Sequence, residues 1–540
     1  MSGTVTLGDS ANIITLGSFD SLIGGTGNDI VTVTGAVSGG TVNLGAGVDR
    51  LNLGHGGYTL TVSNVETITG GSGNDDVTLG AAISGATVSL GAGTDSLTLA
   101  SGANTLTVSG AETITGGNGT DVVTLGAATS GATIALGTGT DSLILSGAGA
   151  NTLTLGADIE TITGGSAADS ITLSAGVSGI AVRLGAGSDS LTLADDGNTL
   201  TASSIEAVTG GTGDDVLTLA DGQTSGSINL GAGSDRLTLA NAANALTVSD
   251  VETVIGGSLA DAITFAAAIS GATVSLGAGL DRLALADGGN TLAVTGAETI
   301  TGGSGNDDVT LGAAISGATV SLGAGTDSLT LASGANTLTV SGAETITGGN
   351  GVDVITFNAA ISGASIDLGA GTDRLALASG ANTVTVFNTE VVTGGSGADS
   401  ITITGSVSSR ITGGDGNDTL VGGGGGDQIS GGLGNDVLTG GAGVDRFTFS
   451  AANDAPITGG DTITDFNPTN DLLVFTGMLT GAFSFLGAAA LTTTGATQAR
   501  FDDTTKVLSI DLGGDGTADM KIVLTGVNLA DLDAGAFLWL

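Results

Sequence analysis

Residues 413–448 repeat every nine positions without a gap, as GGDGNDTLV, GGGGGDQIS, GGLGNDVLT and GGAGVDRFT. Each unit opens with two glycines: Gly413 and Gly414, Gly422 and Gly423, Gly431 and Gly432, Gly440 and Gly441. A third glycine follows at position four (Gly416, Gly425, Gly434, Gly443) and an aspartate at position six (Asp418, Asp427, Asp436, Asp445). Position eight is apolar. Clustered glycines reach positive φ and turn tightly, which brings backbone carbonyls inward. One apolar residue between outward neighbours is enough for a short strand with a buried face. Each unit therefore reads as a turn plus a strand, and two units as one flattened coil. Units eighteen residues apart stack on the same edge, Gly413 with Gly431 and Gly422 with Gly440. A flexible linker would need neither the fixed apolar position nor the strict phase.

Stacking sets an electrostatic condition. Rungs about 4.8 Å apart place two carboxylates where they repel by roughly 3–4 kcal/mol at an effective dielectric near 20. A column of such corners needs cations between its members. Calcium, a hard cation, takes about six to eight oxygens and accepts carbonyls mixed with carboxylates.

Residues 1–404 carry a longer repeat. The acidic residue before the phrase TITGG recurs at Asp20, Glu66, Glu112, Glu160, Glu206, Glu252, Glu298, Glu344 and Glu390, every 46 residues except for one step of 48. Residues 66–119 and 298–351 are identical over 54 positions, the mark of internal duplication. One unit holds five short alternating stretches, TIT, DVTL, ATVSL, SLTL and TLTV, punctuated by glycine. Alternation with β-branched residues predicts strands and the glycines predict turns. We read each unit as two coils, one shorter and one longer.

Each unit also has two turns of the GxGxD kind. The first set ends at Asp29, Asp75, Asp121, Asp169, Asp215, Asp261, Asp307 and Asp353, with Asp399 opening the ninth unit. The second set ends at Asp49, Asp95, Asp141, Asp189, Asp235, Asp281, Asp327 and Asp373. The turns at Asp169 and Asp261 lack the third glycine and are expected to hold metal weakly or not at all. With the compact block, about twenty ions is the upper bound if neighbouring turns share one. The competing reading is purely geometric, with aspartate as a turn former. Asparagines at 104, 151, 198, 244, 290, 336 and 382 predict a structural ladder, and the repeated glutamates a solvated edge. Arg50, Arg236, Arg282 and Arg374 directly follow turn aspartates, which suggests local ion pairs.

Composition closes several other routes. Glycine supplies 100 of 540 residues and proline 2, which excludes collagen and argues against disorder. The net charge of −43 disfavours nucleic acid and anionic lipid. The chain has no cysteine, so disulfides and thiolate chemistry are absent. Residues 1–17 lack the basic and apolar regions of a secretory signal peptide, and no stretch is apolar enough to insert in a membrane. His55 is the sole histidine, in the turn LGHGGY, so no HExxH site exists and we expect no enzyme.

After residue 448 the composition changes. Eight of twelve phenylalanines, both prolines, both lysines and Trp539 lie from Phe447 onward. This predicts a β-rich cap over residues 449–540 that closes the open sheet edge. The nonapeptides, the segment DTITDFNPTNDLLVFTG after them, the acidic-then-apolar end DLDAGAFLWL and the absence of cysteine together resemble the RTX (repeats-in-toxin) family. The resemblance covers about residues 394–540. The 46-residue array is similar, less specifically, to the solenoid parts of RTX surface-layer and adhesin-like proteins.

The resemblance implies an all-β, right-handed parallel β-solenoid over 1–404, a nonapeptide β-roll over 405–448 and a cap with a type I secretion signal over 449–540. It implies several Ca2+ ions, held by the turn-glycine carbonyls and by Asp418, Asp427, Asp436 and Asp445. The array turns would add sites at Asp29, Asp49, Asp75, Asp95, Asp121, Asp141, Asp215, Asp235, Asp307, Asp327, Asp353, Asp373 and Asp399. The expected role is a secreted, calcium-folded surface-layer or matrix subunit at the bacterial cell surface. Its expected partners are copies of itself, the type I secretion machinery and a cell-surface polysaccharide, with neither nucleic acid nor membrane insertion. The alternative is a calcium-dependent adhesin or an ice-binding solenoid, suggested by threonine pairs such as Thr105/Thr107.

Overall fold

The structure, a computed structural model, describes residues 3–540. It divides into two compact units, Met1–Ala266 and Ala267–Leu540. Among the described residues there is no α-helix; three single-turn 3₁₀ segments lie after residue 450. Among the described residues no helix is long and apolar enough to cross a membrane.

In the first unit every strand pairing is parallel, and two sheets run side by side down the coil. In one, Ser21–Ile23 pairs with Ser38–Asn43, which pairs with Thr59–Ser63 and then Asp76–Leu79. In the other, Ile30–Val33 pairs with Arg50–Leu53, then Thr67–Thr69, then Ser84–Ser89. Alternate residues point inward. Val31, Leu51, Ile68 and Val88 stack in register and are fully buried. Each such aliphatic side chain contributes about 1.5–3 kcal/mol by leaving water. The phrase S-G-A/I/G bends the longer strands: Gly39, Gly85 and Gly179 sit at φ near +76°, +75° and +77° where the ladder slips by one residue.

The five predicted strands of a repeat are all present. From Glu66 they are Thr67–Thr69, Asp76–Leu79, Ser84–Ser89, Ser96–Thr98 and Thr105–Ser109. The expected two coils per repeat is corrected. Strands alternate strictly between the two sheets, so five strands make two and a half coils. Each repeat therefore begins in the opposite sheet from the one before it. The 20-residue spacing between aspartates is one coil, and the 26-residue spacing crosses to the other edge.

The second unit continues the same way through the nonapeptides. Val391–Ser396 pairs with Arg410–Asp415, then Gln428–Leu433, Arg446–Phe449, Leu472–Phe475 and Phe537–Trp539. The other sheet runs Ser400–Thr404, Thr419–Val421, Val437–Thr439, Asp461–Ile463 and Met520–Leu524. Met520–Leu524 then pairs antiparallel with Val507–Asp511, and that strand with Gln498–Asp502. Aromatic rings replace the thin aliphatic core here. Phe475 stacks between Phe449 at 5.4 Å and Trp539 at 4.5 Å.

Candidate metal centre

Each turn aspartate is the last residue before a strand, so the fixed strand register fixes the aspartates. Asp29 and Asp49 lead into paired strands of one sheet, Asp75 and Asp95 into paired strands of the other. Asp418 and Asp436 share one edge of the nonapeptide region, Asp427 and Asp445 the other, as the nine-residue phase predicted. All are buried at 2% exposure or less, as are the array aspartates and Asp399.

Along an edge, the backbone N–H of one corner residue donates to the side chain on the next rung. Asp29 N–H donates to Asp49 Oδ1 at 2.7 Å, and Asp75 N–H to Asp95 Oδ1 at 2.7 Å. The same bond joins Asp121 to Asp141, Asp169 to Asp189, Asp215 to Asp235, Asp307 to Asp327 and Asp353 to Asp373 at 2.7–2.8 Å. Asp399 N–H reaches Asp418, Asp418 reaches Asp436 and Asp427 reaches Asp445, each at 2.8 Å. The two sequence-predicted sets are thus one set of adjacent pairs. Asp169, in the turn without a third glycine, holds the same ladder position as the rest.

At most of these corners the bond satisfies only half of the carboxylate. Oδ2 of Asp29, Asp49, Asp75, Asp95, Asp121, Asp141, Asp215 and Asp235 is buried with no hydrogen-bond partner. The same is true of Asp307, Asp327, Asp353, Asp373, Asp399, Asp418, Asp427 and Asp436. A buried charged acceptor left without a partner costs more than the roughly 1–3 kcal/mol of a neutral one. Among the described residues the ion pairs are Arg500–Asp502 at 3.9 Å and Lys506–Asp503 at 2.9 Å, both remote from the corners. Of the expected arginine pairs, those of Arg50, Arg236 and Arg374 do not form; all three are exposed strand residues. As exposed residues of half-buried strands they lie on the outward face.

The glycines shape the space beside the free oxygens. A methyl group on Gly70 would overlap the Leu90 carbonyl oxygen and lie 2.7 Å from Asp75 Oδ2. One on Gly93 would lie 2.6 Å from the Gly73 carbonyl oxygen and 2.9 Å from Asp95 Oδ1. Each of these glycines thus has one carboxylate and one carbonyl oxygen close beside it, the ligand types calcium takes. In the nonapeptides a methyl on Gly413 would overlap Asp418 Oδ2 and lie 2.6 Å from the Gly431 carbonyl; one on Gly422 would lie 2.5 Å from both Asp427 Oδ2 and the Gly440 carbonyl. Gly414, Gly423, Gly432 and Gly441 hold φ between +93° and +117°, and Gly416, Gly434 and Gly443 between +141° and +149°. Gly425, Gly431 and Gly440 complete the same turns without positive φ. No three acidic or histidine side chains converge among the described residues, so carbonyls must complete any cation shell.

The electrostatics agree. Burial raises the carboxyl of Asp75 to about 6, with repulsion from Asp95 adding to it. Burial likewise raises Asp235, Asp418 and Asp427 to about 6 and Asp436 to about 7. In each case backbone N–H bonds oppose the shift and the neighbouring aspartate increases it.

Sequence reasoning anticipated the asparagine ladder and missed the corner bonds of the glutamates and of two cap aspartates. The glutamates lie at a partly solvated edge, as expected, with Glu112 exposed and the others half-buried, but they also bond the corners: the N–H of Asp49 donates to Glu66 Oε2 at 2.8 Å, and Asp95, Asp141, Asp189, Asp235, Asp327 and Asp373 bond their glutamates at 2.6–2.9 Å. The asparagines hold the opposite end of each pair, Asn104 Nδ2 donating to Asp121 Oδ1 at 2.8 Å. Beyond the nonapeptides, Asp461 and Asp471 extend the two columns, accepting from Asp436 and Asp445 at 3.0 Å. Burial pushes Asp461 to about 8, with repulsion from Asp436 and Asp454. The signal for both was present in Asp-Thr-Ile-Thr and Asp-Leu-Leu-Val, which match Asp418-Thr-Leu-Val, but their spacing breaks the nine-residue phase.

His55 Nδ1 lies 3.1 Å from Ser72 Oγ on the exposed surface. Among the described residues no carboxylate bonds to that ring, so the pair lacks the third group that would orient it as a base.

The family model of the RTX calcium-binding nonapeptide repeat matches residues 8–33, 66–82, 106–129, 293–314, 338–356 and 410–454. No curated protein matches the chain. The solution structure of the AlgE6R2 subunit from the Azotobacter vinelandii mannuronan C5-epimerase is 30% identical, covering 28% of this chain and 91% of that one, at a TM-score of 0.22. A hyperactive, Ca2+-dependent, β-helical antifreeze protein from an Antarctic bacterium is 22% identical, covering 64% of this chain and 83% of that one, at a TM-score of 0.13.

Proposed function

The chain belongs with the proteins that carry RTX calcium-binding nonapeptide repeats, and from that premise we propose that it is a secreted structural protein, folded by calcium, that assembles at the bacterial surface as a surface-layer or matrix subunit. The observation that carries this reading is the row of buried aspartates whose Oδ2 atoms have no partner. Bound calcium supplies the positive charge that lets adjacent corners coexist. The turn carbonyls and Asp29, Asp49, Asp75, Asp95, Asp121, Asp141, Asp215, Asp235, Asp307, Asp327, Asp353, Asp373, Asp399, Asp418, Asp427, Asp436 and Asp445 hold it.

Calcium is scarce inside cells and abundant outside them. A chain whose corners repel without the cation stays unfolded until it is exported and folds on arrival. Residues 449–540 then close the coil, and type I export is the route that fits the C-terminal segment. Almost every residue before the cap serves the coil, which supports a scaffold over an enzyme. The ice-binding alternative needs a long, regular threonine plane. One outward row reads Arg50, Thr67, Thr87, Thr107, Thr124, Ile144, so four threonines are bounded by a cation and an aliphatic residue. This interruption favours the scaffold.

Electron microscopy of the purified chain with and without millimolar calcium tests the assembly. Ordered sheets or filaments should appear with calcium and disperse in chelator. A strictly monomeric protein in calcium would contradict the assembly, and thermal hysteresis would favour the ice-binding alternative.

A further inference from the structure

The corner columns of the 46-residue array are not continuous. Each repeat builds a block of four rungs on one edge, in the order asparagine, aspartate, aspartate, glutamate: Asn104, Asp121, Asp141, Glu160, and on the other edge Asn151, Asp169, Asp189, Glu206. An uncharged rung follows before the next block, as Ile83 N–H donates to Asn104 Oδ1 at 3.1 Å. The nonapeptide region has no such interruption, and Asp399, Asp418, Asp436 and Asp461 follow one another directly.

The asparagine amide occupies a specific environment. Asn336 Nδ2 lies 2.8 Å from Asp353 Oδ1, 2.9 Å from the Ala332 carbonyl and 2.8 Å from the Gly334 carbonyl. One carboxylate and two carbonyl oxygens surround a group that carries only partial positive charge. The same oxygen types lie beside the corner glycines of the stacked aspartates, Gly70, Gly93, Gly413 and Gly422. The nest recurs around Asn104, Asn198, Asn290 and Asn382 at 2.6–3.0 Å. In the block at Asp75 the asparagine is replaced by Tyr58, whose hydroxyl donates instead to the Val33 carbonyl at 2.9 Å.

We propose that the asparagine that opens each block is a column terminator: its amide stands at the inter-rung step where a cation would otherwise sit, and confines calcium to a separate cassette in each repeat. Cassettes alternate between the two edges, because successive repeats start in opposite sheets. The array therefore spreads its cations as separated groups, and only the nonapeptides hold an unbroken file. This rests on the calcium reading above and adds which inter-rung steps are occupied.

Asn336→Asp tests it. The substitution keeps the side-chain shape and turns the donor into an anion among three oxygens, so a cation must replace the amide. Bound calcium is counted by elemental analysis of the full chain after gel filtration in millimolar calcium, beside the wild type. The expected result is about one more calcium per chain for N336D, with wild-type β-sheet circular dichroism and a steeper calcium requirement for folding. An unchanged count overturns the terminator, and so does failure of N336D to fold in millimolar calcium, since the cation should take the place of the amide. Asn382→Asp repeats the test where the block runs on into the nonapeptide column, and must add an ion as well. A wild type that binds no calcium would instead overturn the reading beneath it.

Discussion

The backbone N–H of Asp436 donates to Oδ1 of Asp461 at 3.0 Å, which places an aspartate of the cap on top of the nonapeptide column. Asp461 is fully buried and its Oδ2 has no partner. The cap is thereby tied to the same column of carboxylates as the roll. Trp539, the single tryptophan, stacks on Phe475 within this cap and reports on it alone. Asp461→Asn should raise the calcium concentration at which Trp539 emission reaches its folded value by about tenfold, equivalent to about 1.4 kcal/mol. In chelator the same variant should be more stable than the wild type, because a buried like charge is gone. Equal calcium midpoints for the two proteins would remove Asp461 from the column.

The pH response follows from the raised carboxyls. Asp427 sits at about 6, Asp436 at about 7 and Asp461 at about 8, against 3.8 for the free side chain. A folded-state value above the unfolded one favours the fold when the group is protonated. Metal-free stability should therefore be greatest near pH 4 and fall as pH rises through about 6 to 8. Thermal unfolding in chelator checks this, and saturating calcium should reverse the trend above pH 6. A metal-free protein that gains stability between pH 5 and 8 would contradict the burial of these groups.

Glycine at the corner is required for space as well as for turning. Gly413→Ala would drive a methyl into Asp418 Oδ2 and the Gly431 carbonyl. It should lower stability in calcium by about 1–3 kcal/mol, the usual cost of overpacking, and weaken calcium binding. Gly17→Ala meets nothing within 4 Å and is the control, expected to stay within about 0.5 kcal/mol. Calcium titrations and thermal melts of the two variants make the comparison; an equal response would show that the corner has room to spare.

Strands were legible in the sequence because outward and inward residues alternate without exception through TIT, DVTL and TLTV. The aspartates were legible because each is the last residue of a glycine turn. The coil count was not, since five similar strands per repeat carry no mark of which sheet each joins. The corner bond of Glu66 escaped for a related reason. Its partner, Asp49, lies seventeen residues away, and only the stacking of coils brings the two to one edge. Arg50 misled because adjacency to Asp49 suggested a pair, whereas a strand residue points off the sheet face. Asp461 was hidden by the 25 residues that separate it from Asp436, an insertion that breaks the period without breaking the column.

Circular dichroism and small-angle scattering of the full chain at pH 8, titrated with calcium from a chelated start, probe the central claim most directly. Half-satisfied, buried carboxylates stacked rung on rung should leave the metal-free chain expanded and poor in β-structure. Calcium should restore both signals in one cooperative transition, since each site filled at a hundred times its dissociation constant adds about 2.7 kcal/mol. A chain that keeps the same β-signal, dimensions and melting temperature in excess chelator at pH 8 would contradict the account.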